Sequence, residues 1–267
     1  MAFAQGVSSS KFHLPGMDCR PQENDKIESA PQSPPLVVDD PATPGCNQWE
    51  INVVMSEDTS SQAKEYALPL LDINYGIGDD IQLKYEVPSL STQTEEGHLS
   101  STGDSVAGIK YLFYENESTG LNMAIYPQVE FETPNSDAVK KGLEQPGTRT
   151  LLPIIFSKKL GDVKYGEMIL TGNLAYNWSH KLDISDSISA AIGLGAPIGR
   201  RVALMGEIST EQASSQNSLG IREQLTRASL GVMVPVYKRI LVFGSAGHSL
   251  GSSDGLSHTY FLAGLRL

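Results

Sequence analysis

The sequence lacks any long apolar run. Hydrophobic residues make up 40% of its 267 positions, and no stretch approaches the roughly 20 apolar residues that a membrane-spanning helix needs. A helical membrane protein is therefore excluded. A membrane β-barrel is not, because its strands carry their apolar residues only at every second position.

Basic residues and cysteines are also scarce. Twenty Lys and Arg stand against 31 Asp and Glu, which gives a net charge of -11. Because phosphate binding needs a basic face, we expect no nucleic-acid partner. The two cysteines, Cys19 and Cys46, lack the spacing and histidine partners of a zinc site. An exported protein could join them in a disulfide, and two unpaired thiols are the alternative.

The most informative pattern is strict alternation. From Ile81 to Val87, apolar side chains take turns with charged or polar ones, and Leu121 to Phe131 repeats the pattern apart from Pro127. Period-two alternation of this length indicates strands with one apolar and one polar face. Many such strands in one chain predict an all-β fold, a transmembrane β-barrel with lipid outside and a wet lumen inside.

We predict about twelve antiparallel strands in a barrel that covers residues 48–267. Residues 1–47 are rich in Pro, Ser and acids and cannot bury enough apolar area to offset their ordering entropy, so we expect a flexible or loosely docked tail. Within it, Leu36 to Val38 could pack against the barrel mouth or lumen. The predicted strands are 48–56, 66–77, 80–88, 105–115, 120–132, 150–157, 163–178, 187–196, 201–211, 226–236, 239–248 and 257–267.

The connections between these strands alternate in length. The predicted long loops, such as 57–65, 89–104 and 133–149, all fall on odd connections, and the even connections are short. Bacterial outer-membrane barrels sort their connections in this way, with long loops outside and short periplasmic turns. The predicted location is therefore the bacterial cell outer membrane, with its lipid as one partner.

Polar residues on one strand face predict the lining of the lumen. They carry charges of both signs, which can pair across neighbouring strands. The predicted lining residues are Asp72, Asn74, Gln82, Lys84, Glu86, Lys110, Asn122, Tyr126, Gln128, Glu130 and Arg266, together with Glu50, Asn52, Asn173, Asn177 and Glu207.

Several segments resemble one bacterial family. Cys46–Asn52 is similar to its opening element, Leu68–Ile77 with Ile81–Pro88 to its core, and Tyr126–Val129 and Leu152–Ile154 to later elements. The family carries the label MetA-pathway of phenol degradation and consists of outer-membrane β-barrels described as transporters. The resemblance implies the barrel fold, the outer membrane and passage of a small, hydrophobic or aromatic solute. The Pro/Ser-rich tail and both cysteines lie outside the family pattern.

Two other functions need consideration. A soluble or surface lipocalin-like barrel that binds a ligand would carry polar outer faces. An outer-membrane lipase could use His248 and Ser249 with Asp254 and His258, but their spacing matches no nucleophile motif. We therefore predict no catalytic residue, and since no phosphate loop or metal-ligand run occurs, no cofactor and no metal. The amphipathic last strand, ending at Leu267, fits recognition by the outer-membrane assembly machinery.

Overall fold

The computed structural model describes residues 11–12, 19, 29–95, 97–216, 220–237 and 240–267. Within these ranges all regular structure is β, and no helix is long and apolar enough to cross a membrane. The strands are β1 (Lys11–Phe12), β2 (Trp49–Thr59), β3 (Lys64–Ile77), β4 (Ile81–Thr94), β5 (Gly97–Thr102), β6 (Ser105–Asn116), β7 (Leu121–Ile125), β8 (Gln128–Phe131), β9 (Arg149–Val163), β10 (Gly166–Ser179), β11 (Ser187–Pro197), β12 (Ala203–Ala213), β13 (Gln224–Tyr237), β14 (Ile240–Ser252) and β15 (Thr259–Arg266).

The strands form one closed antiparallel wall. From β9 to β15 each strand pairs with the next, as β2, β3 and β4 do, and β4 pairs with β6. The short β1 also pairs with β6. β15 pairs with β2, where Arg266 lies opposite Asn52, so the sheet closes on itself. β7 and β8 together form one wall strand between β6 and β9, and β5 continues the line of β6 along the outer half of β4. The wall therefore has twelve strands, and the predicted fold is confirmed.

Two prolines share the single interruption between β7 and β8. Pro127 breaks that wall strand, and Pro153 lies in β9 opposite the gap, where its carbonyl accepts a hydrogen bond from the Tyr126 N–H (3.0 Å). Because proline has no N–H to donate, placing both at one gap leaves the ladder intact on either side.

Apolar side chains cover the outside of the wall. Alternate residues such as Leu83, Ile109, Ile192 and Phe261 are exposed, while the residues between them face inward. Aromatic pairs lie near both rims: the rings of Trp49 and Tyr75 are 4.7 Å apart, and those of Tyr176 and Trp178 are 4.8 Å apart. An apolar band flanked by aromatic side chains is typical of a transmembrane barrel.

An arginine on this band should destabilise the barrel. Ile192 lies at the centre of β11 and is 50% exposed, so Ile192→Arg should lower the free energy of unfolding by about 2–4 kcal/mol. The matched control is Ile198→Arg, in the turn after β11, where the cost should be about 0–1 kcal/mol. Urea titration of the protein folded in lipid vesicles measures both. Equal costs would show that the β11 surface does not face lipid.

Connection lengths separate the two ends of the barrel. We call the end with the short turns 78–80, 117–120, 164–165 and 198–202 the inner end, and the opposite end the outer end. The long segments 132–148 and 180–186 lie at the outer end, as predicted, and so do the described parts 214–216 and 220–223 of a third connection. Two predicted loops were wrong, because β2 and β3 pair as far as Thr59 and Lys64, and 89–104 is largely a hairpin of β4 and β5. Strands beyond the membrane meet water on both faces, so they lack the apolar alternation that marks the wall.

Residues 29–45, which we call the plug, lie inside the barrel. Ser29 donates a hydrogen bond to the backbone carbonyl of Glu167 at the inner end (2.9 Å), and near mid-barrel the carbonyl of Pro35 accepts one from Ser245 (2.7 Å). The chain then returns to the inner end, where Thr43 donates to the carbonyl of Asp79 (2.8 Å). The plug is therefore a re-entrant loop that enters and leaves the lumen through the inner end.

The wall leaves space for both limbs of the plug. A side chain at Gly195 would lie 2.0 Å from the Ser29 carbonyl oxygen, and one at Gly76 would lie 1.9 Å from that of Gly45. Backbone can approach this closely only where the wall residue has no Cβ. Each limb therefore passes against a glycine of the wall.

Apolar side chains of the plug complete a core within the lumen. Leu36 and Val38 are buried in a cluster with wall residues of four strands: Val54, Ala203, Met205, Met233 and Phe243. On this side of the barrel the lumen, predicted to be wet, is therefore filled by apolar side chains, and Leu36 and Val38 pack in the lumen, one of the two positions expected from the sequence. Residues 29–47 are largely buried and bonded to the wall, so this part of the tail is docked and not flexible. The rest of the tail, apart from 11–12 and Cys19, lies outside the described residues, and the division at residue 47 stays a prediction.

Candidate functional site

A network of amides and carboxylates lines the lumen beside the plug. On β3, the carboxylate of Asp72 accepts hydrogen bonds from Asn52 (2.9 Å) and Asn74 (3.1 Å). Gln82 on β4 donates to Asn74 (2.6 Å) and to the Tyr126 hydroxyl (3.2 Å). These side chains come together because residues two apart in a strand share a face and neighbouring strands lie about 5 Å apart.

Lys110 on β6 connects this wall to the plug. Its ammonium group pairs with the Asp39 carboxylate (3.1 Å) and donates to the carbonyl oxygens of Asp40 (2.9 Å) and Ala42 (3.2 Å). The side chain is almost fully buried, and all three of its donors are used. On the far side of the plug, the Glu207 carboxylate accepts the backbone N–H groups of Val37 and Val38. A cation and an anion of the wall therefore hold opposite sides of the plug.

The predicted lining residues occupy four regions. Asp72, Asn74, Gln82, Lys110, Tyr126 and Arg266 are buried within the network beside the plug, where Arg266 donates to Asn52 (3.0 Å). Lys84, Glu86 and Gln128 line a cavity on the outer side of the plug, and Asn122 lines one on the inner side. Glu130 lies at the outer end, in contact with Lys181. Their role in contacting a solute stays a prediction.

Cavities lie on both sides of the plug. The outer cavity has a volume of about 330 Å³. It shares the lining residues Arg149, Glu211 and Leu225 with a second cavity of about 540 Å³ at the outer end. An inner cavity of about 710 Å³ opens between Ser29 and Arg200. Between them, beside Lys110, only about 30 Å³ is empty, room for one or two water molecules. The plug therefore lies between the outer and the inner cavity and lines both.

Three charged residues of the outer cavity were not predicted. Arg149, Glu211 and Arg227 line it together with Lys84 and Glu86. Arg149 and Glu211 fall at or just beyond the predicted strand ends, where alternation could not assign a face. Arg227 lies inside a predicted strand, and its spacing of two from Ser229 and Gly231 places it on their inward face. That spacing could have identified Arg227 as a lumen residue from the sequence.

A second charged cluster joins the outer loops. Lys181 is buried and contacts three acids from three other segments: Asp104 (2.7 Å), Glu130 and Glu144 (3.4 Å). Burial alone would lower the pKa of Lys181, but hydrogen bonds to Asp104 and Glu130 and the charges around it raise the pKa well above its ordinary value. Burial and the charge of Asp104 raise the pKa of Glu144. The cluster fastens segments 132–148 and 180–186 to the wall.

His248 and Ser249 do not form the Ser–His pair that a lipase would need. His248 and Ser249 are adjacent in β14 and so point to opposite faces of the wall. His248 contacts Thr259 (3.2 Å) and Ser257 (3.1 Å). The other histidine, His258, lies between Asp254 (2.9 Å) and Asp58 (3.1 Å), and the hydrogen bond to Asp254 is the main cause of its raised pKa. The cluster is an ion-pair arrangement between an outer loop and β2.

The two cysteines flank the plug. Cys19 and Cys46 are joined, with Cα atoms 5.3 Å apart, a separation that a disulfide spans. Cys46 lies at the inner end, where its N–H donates to the Asp79 carboxylate (3.1 Å). Formation of this bond in the cell stays a prediction, and an exported protein meets the oxidising conditions that it needs.

The fold is similar to solved outer-membrane proteins. The NanC porin superposes with a TM-score of 0.55 at 10% identity, covering 80% of this chain and 98% of that one. The translocator domain of autotransporter NalP from Neisseria meningitidis gives 0.55 at 12% identity, covering 82% and 88%. This is an outer-membrane β-barrel fold. No family model and no curated protein matches the sequence, so the resemblance to the phenol-degradation family is not confirmed.

Proposed function

We propose that this protein is a bacterial outer-membrane channel for a small solute, closed in the present state by its own plug. The observation that carries the proposal is the pair of cavities on either side of residues 29–45, inside a wall that is apolar outside. A purely structural barrel has no need for aqueous space at both ends of its lumen. Removal of the plug would join the two cavities.

The size of the barrel fits this function. Barrels of about 8 strands are filled by their side chains, and those of about 16–18 leave an open channel. The twelve strands here enclose more room than inward side chains occupy, and a segment of the chain itself takes up the difference. A barrel of this size with a displaceable plug therefore suits a small solute rather than a macromolecule.

The solute class is part of the proposal. The apolar wall of the outer cavity, formed by Leu151, Pro153 and Ile155, supports a solute with a hydrophobic or aromatic body. The resemblance of the strand segments to the phenol-degradation family favours the same class. A lipocalin-like soluble barrel has less support, because it requires polar outer faces and this exterior is apolar.

Flux into lipid vesicles tests the channel. The chain with residues 29–45 replaced by a glycine–serine segment of equal length, folded into vesicles, should admit benzoate faster than empty vesicles and faster than the unmodified chain, and should exclude a polysaccharide. Ile198→Arg, which alters only an inner turn, should behave as the unmodified chain does. Absence of flux for every solute, both with the plug present and with it replaced, would exclude the channel function and leave a structural or binding barrel.

A further inference from the structure

We propose that the outer cavity is a binding site for a small organic carboxylate with an apolar body, held at its charged end by Arg227. The inference deepens the proposed channel function and rests on it for the solute's route, but the binding itself is measurable without flux. It follows from the charges, the shape and the unpaired polar atoms of the cavity lining.

The charges of the lining leave one cation uncompensated. Three basic and three acidic side chains line the cavity. Lys84 pairs with Glu86 (2.8 Å) and Arg149 pairs with Glu211. The third acid, Asp39, pairs with Lys110 (3.1 Å), which lies beside the plug and not in the cavity lining.

Arg227 is the cation that is left. Among the described residues its guanidinium forms no ion pair or hydrogen bond, and its contact is the ring of Tyr260, 4.2 Å from its central carbon. The Glu207 carboxylate is close enough to interact electrostatically with Arg227, but its oxygen atoms accept hydrogen bonds from the backbone N–H groups of Val37 and Val38. A guanidinium stacked on an aromatic ring keeps its edge donors free, and that edge matches a carboxylate in two parallel hydrogen bonds.

Two further polar atoms lack partners in the same lining. The Nε of Arg149 and the Oδ1 of Asn177 are buried and form no hydrogen bond among the described residues, and both residues line the cavity. Asn177 is almost fully buried. Unpaired buried polar atoms are rare because each costs free energy, so a donor and an acceptor left unpaired beside one cavity indicate a polar ligand group or bound water between them.

The apolar side of the cavity indicates that the rest of the ligand is apolar and compact. Leu151, Pro153, Ile155 and Ala175 present apolar side chains from β9 and β10. The volume of about 330 Å³ lies at the lower limit of small-molecule sites, which are mostly apolar with a few placed polar groups. Benzoate has the required form: one carboxylate on a compact apolar ring.

Equilibrium binding to the purified, folded full chain tests the site with benzoate as the probe and benzamide as its uncharged isostere. Benzoate should bind saturably, and benzamide about ten- to a hundredfold more weakly, because a hydrogen bond to a charged group is lost. Arg227→Gln should weaken benzoate binding by a similar factor and leave benzamide binding unchanged. Arg201→Gln, in an exposed inner turn, is the matched control and should bind as the unmodified chain does.

Arg227→Lys guards against a folding defect, because it keeps the charge but loses the two parallel hydrogen bonds, so its affinity for benzoate should lie between those of the unmodified chain and Arg227→Gln. Equal binding of benzoate and benzamide, unchanged benzoate binding in a folded Arg227→Gln variant, or no saturable binding would each overturn the inference. Vesicle flux is measured on the same preparations. Flux without benzoate binding removes this site and retains the channel, whereas binding without flux, both with the plug present and with it replaced, retains the site and removes the channel.

Discussion

Replacement of residues 29–45 by a glycine–serine segment of equal length should raise the conductance of the barrel several-fold in a planar bilayer. The native plug is held by the apolar cluster around Leu36 and Val38 and by polar contacts to Lys110 and Glu207. A glycine–serine segment has no apolar side chains to bury and a higher conformational entropy to lose, so it should leave the lumen. The cavities on either side would then be continuous.

Two single substitutions provide a matched comparison. Leu36 is 5% exposed within the cluster and its neighbour Val37 is 50% exposed. Leu36→Asn removes apolar contacts and buries an amide, at a cost of about 2–5 kcal/mol to plug docking, so channel openings should become frequent. Val37→Asn should leave the conductance near that of the unmodified chain. A folded, heat-modifiable barrel whose conductance is unchanged by the glycine–serine segment would show that the plug does not block the solute path.

Lys181→Met should release the outer loops from the wall. The substitution keeps the length of the side chain but leaves Asp104, Glu130 and Glu144 without their shared cation. Breaking a buried ion pair from one side costs about 3–5 kcal/mol, because a buried charge is left uncompensated. Local opening of segment 132–148 should therefore increase roughly a hundredfold or more, and protease cleavage within this segment on the folded barrel measures it.

Calcium should reverse much of this effect. Carboxylate oxygens of the three acids lie within 4.8 Å of one another, and a hard divalent cation accepts such ligands. Millimolar Ca²⁺ should therefore slow cleavage in Lys181→Met and leave the unmodified chain unaffected, because there the ammonium group occupies the centre. Lys141→Met is the control: Lys141 pairs with Asp137 on the exposed surface of the same segment (2.8 Å), where water screens an ion pair and it contributes little to stability. Equal cleavage of the two variants would contradict the role of Lys181.

The wall could be predicted from the sequence because each strand carries its own signal. Alternation from Ile81 to Val87 assigns inward and outward faces without knowledge of any other strand, and Asp72, Asn74, Gln82 and Lys110 followed from the same rule. Arg149 and Glu211 did not follow, because alternation gives no face at strand ends. Lys181 lies in a loop, where no periodicity exists.

The plug could not be predicted, because what orders it lies far away in the chain. Its composition is that of a disordered segment, and alone it could not offset the entropy of ordering. Val38 is held by Glu207, 169 positions later, and Leu36 packs against Met233 and Phe243. A lumen that only the complete barrel provides supplies the missing apolar area, so only the short apolar group Leu36 to Val38 hinted at docking.

A disulfide between Cys19 and Cys46, which stays a prediction, would decide how the plug can move. Both cysteines flank the plug, and the chain before Cys19 is also attached to the wall, since Lys11 and Phe12 pair with β6 near the inner end. With that disulfide formed, a plug that leaves the lumen would depart as a closed loop with both ends held at the inner rim, and not as a free strand. Its return would be intramolecular, at an effective concentration on the order of millimolar. The tethered plug would therefore rebind in the lumen and close the channel again.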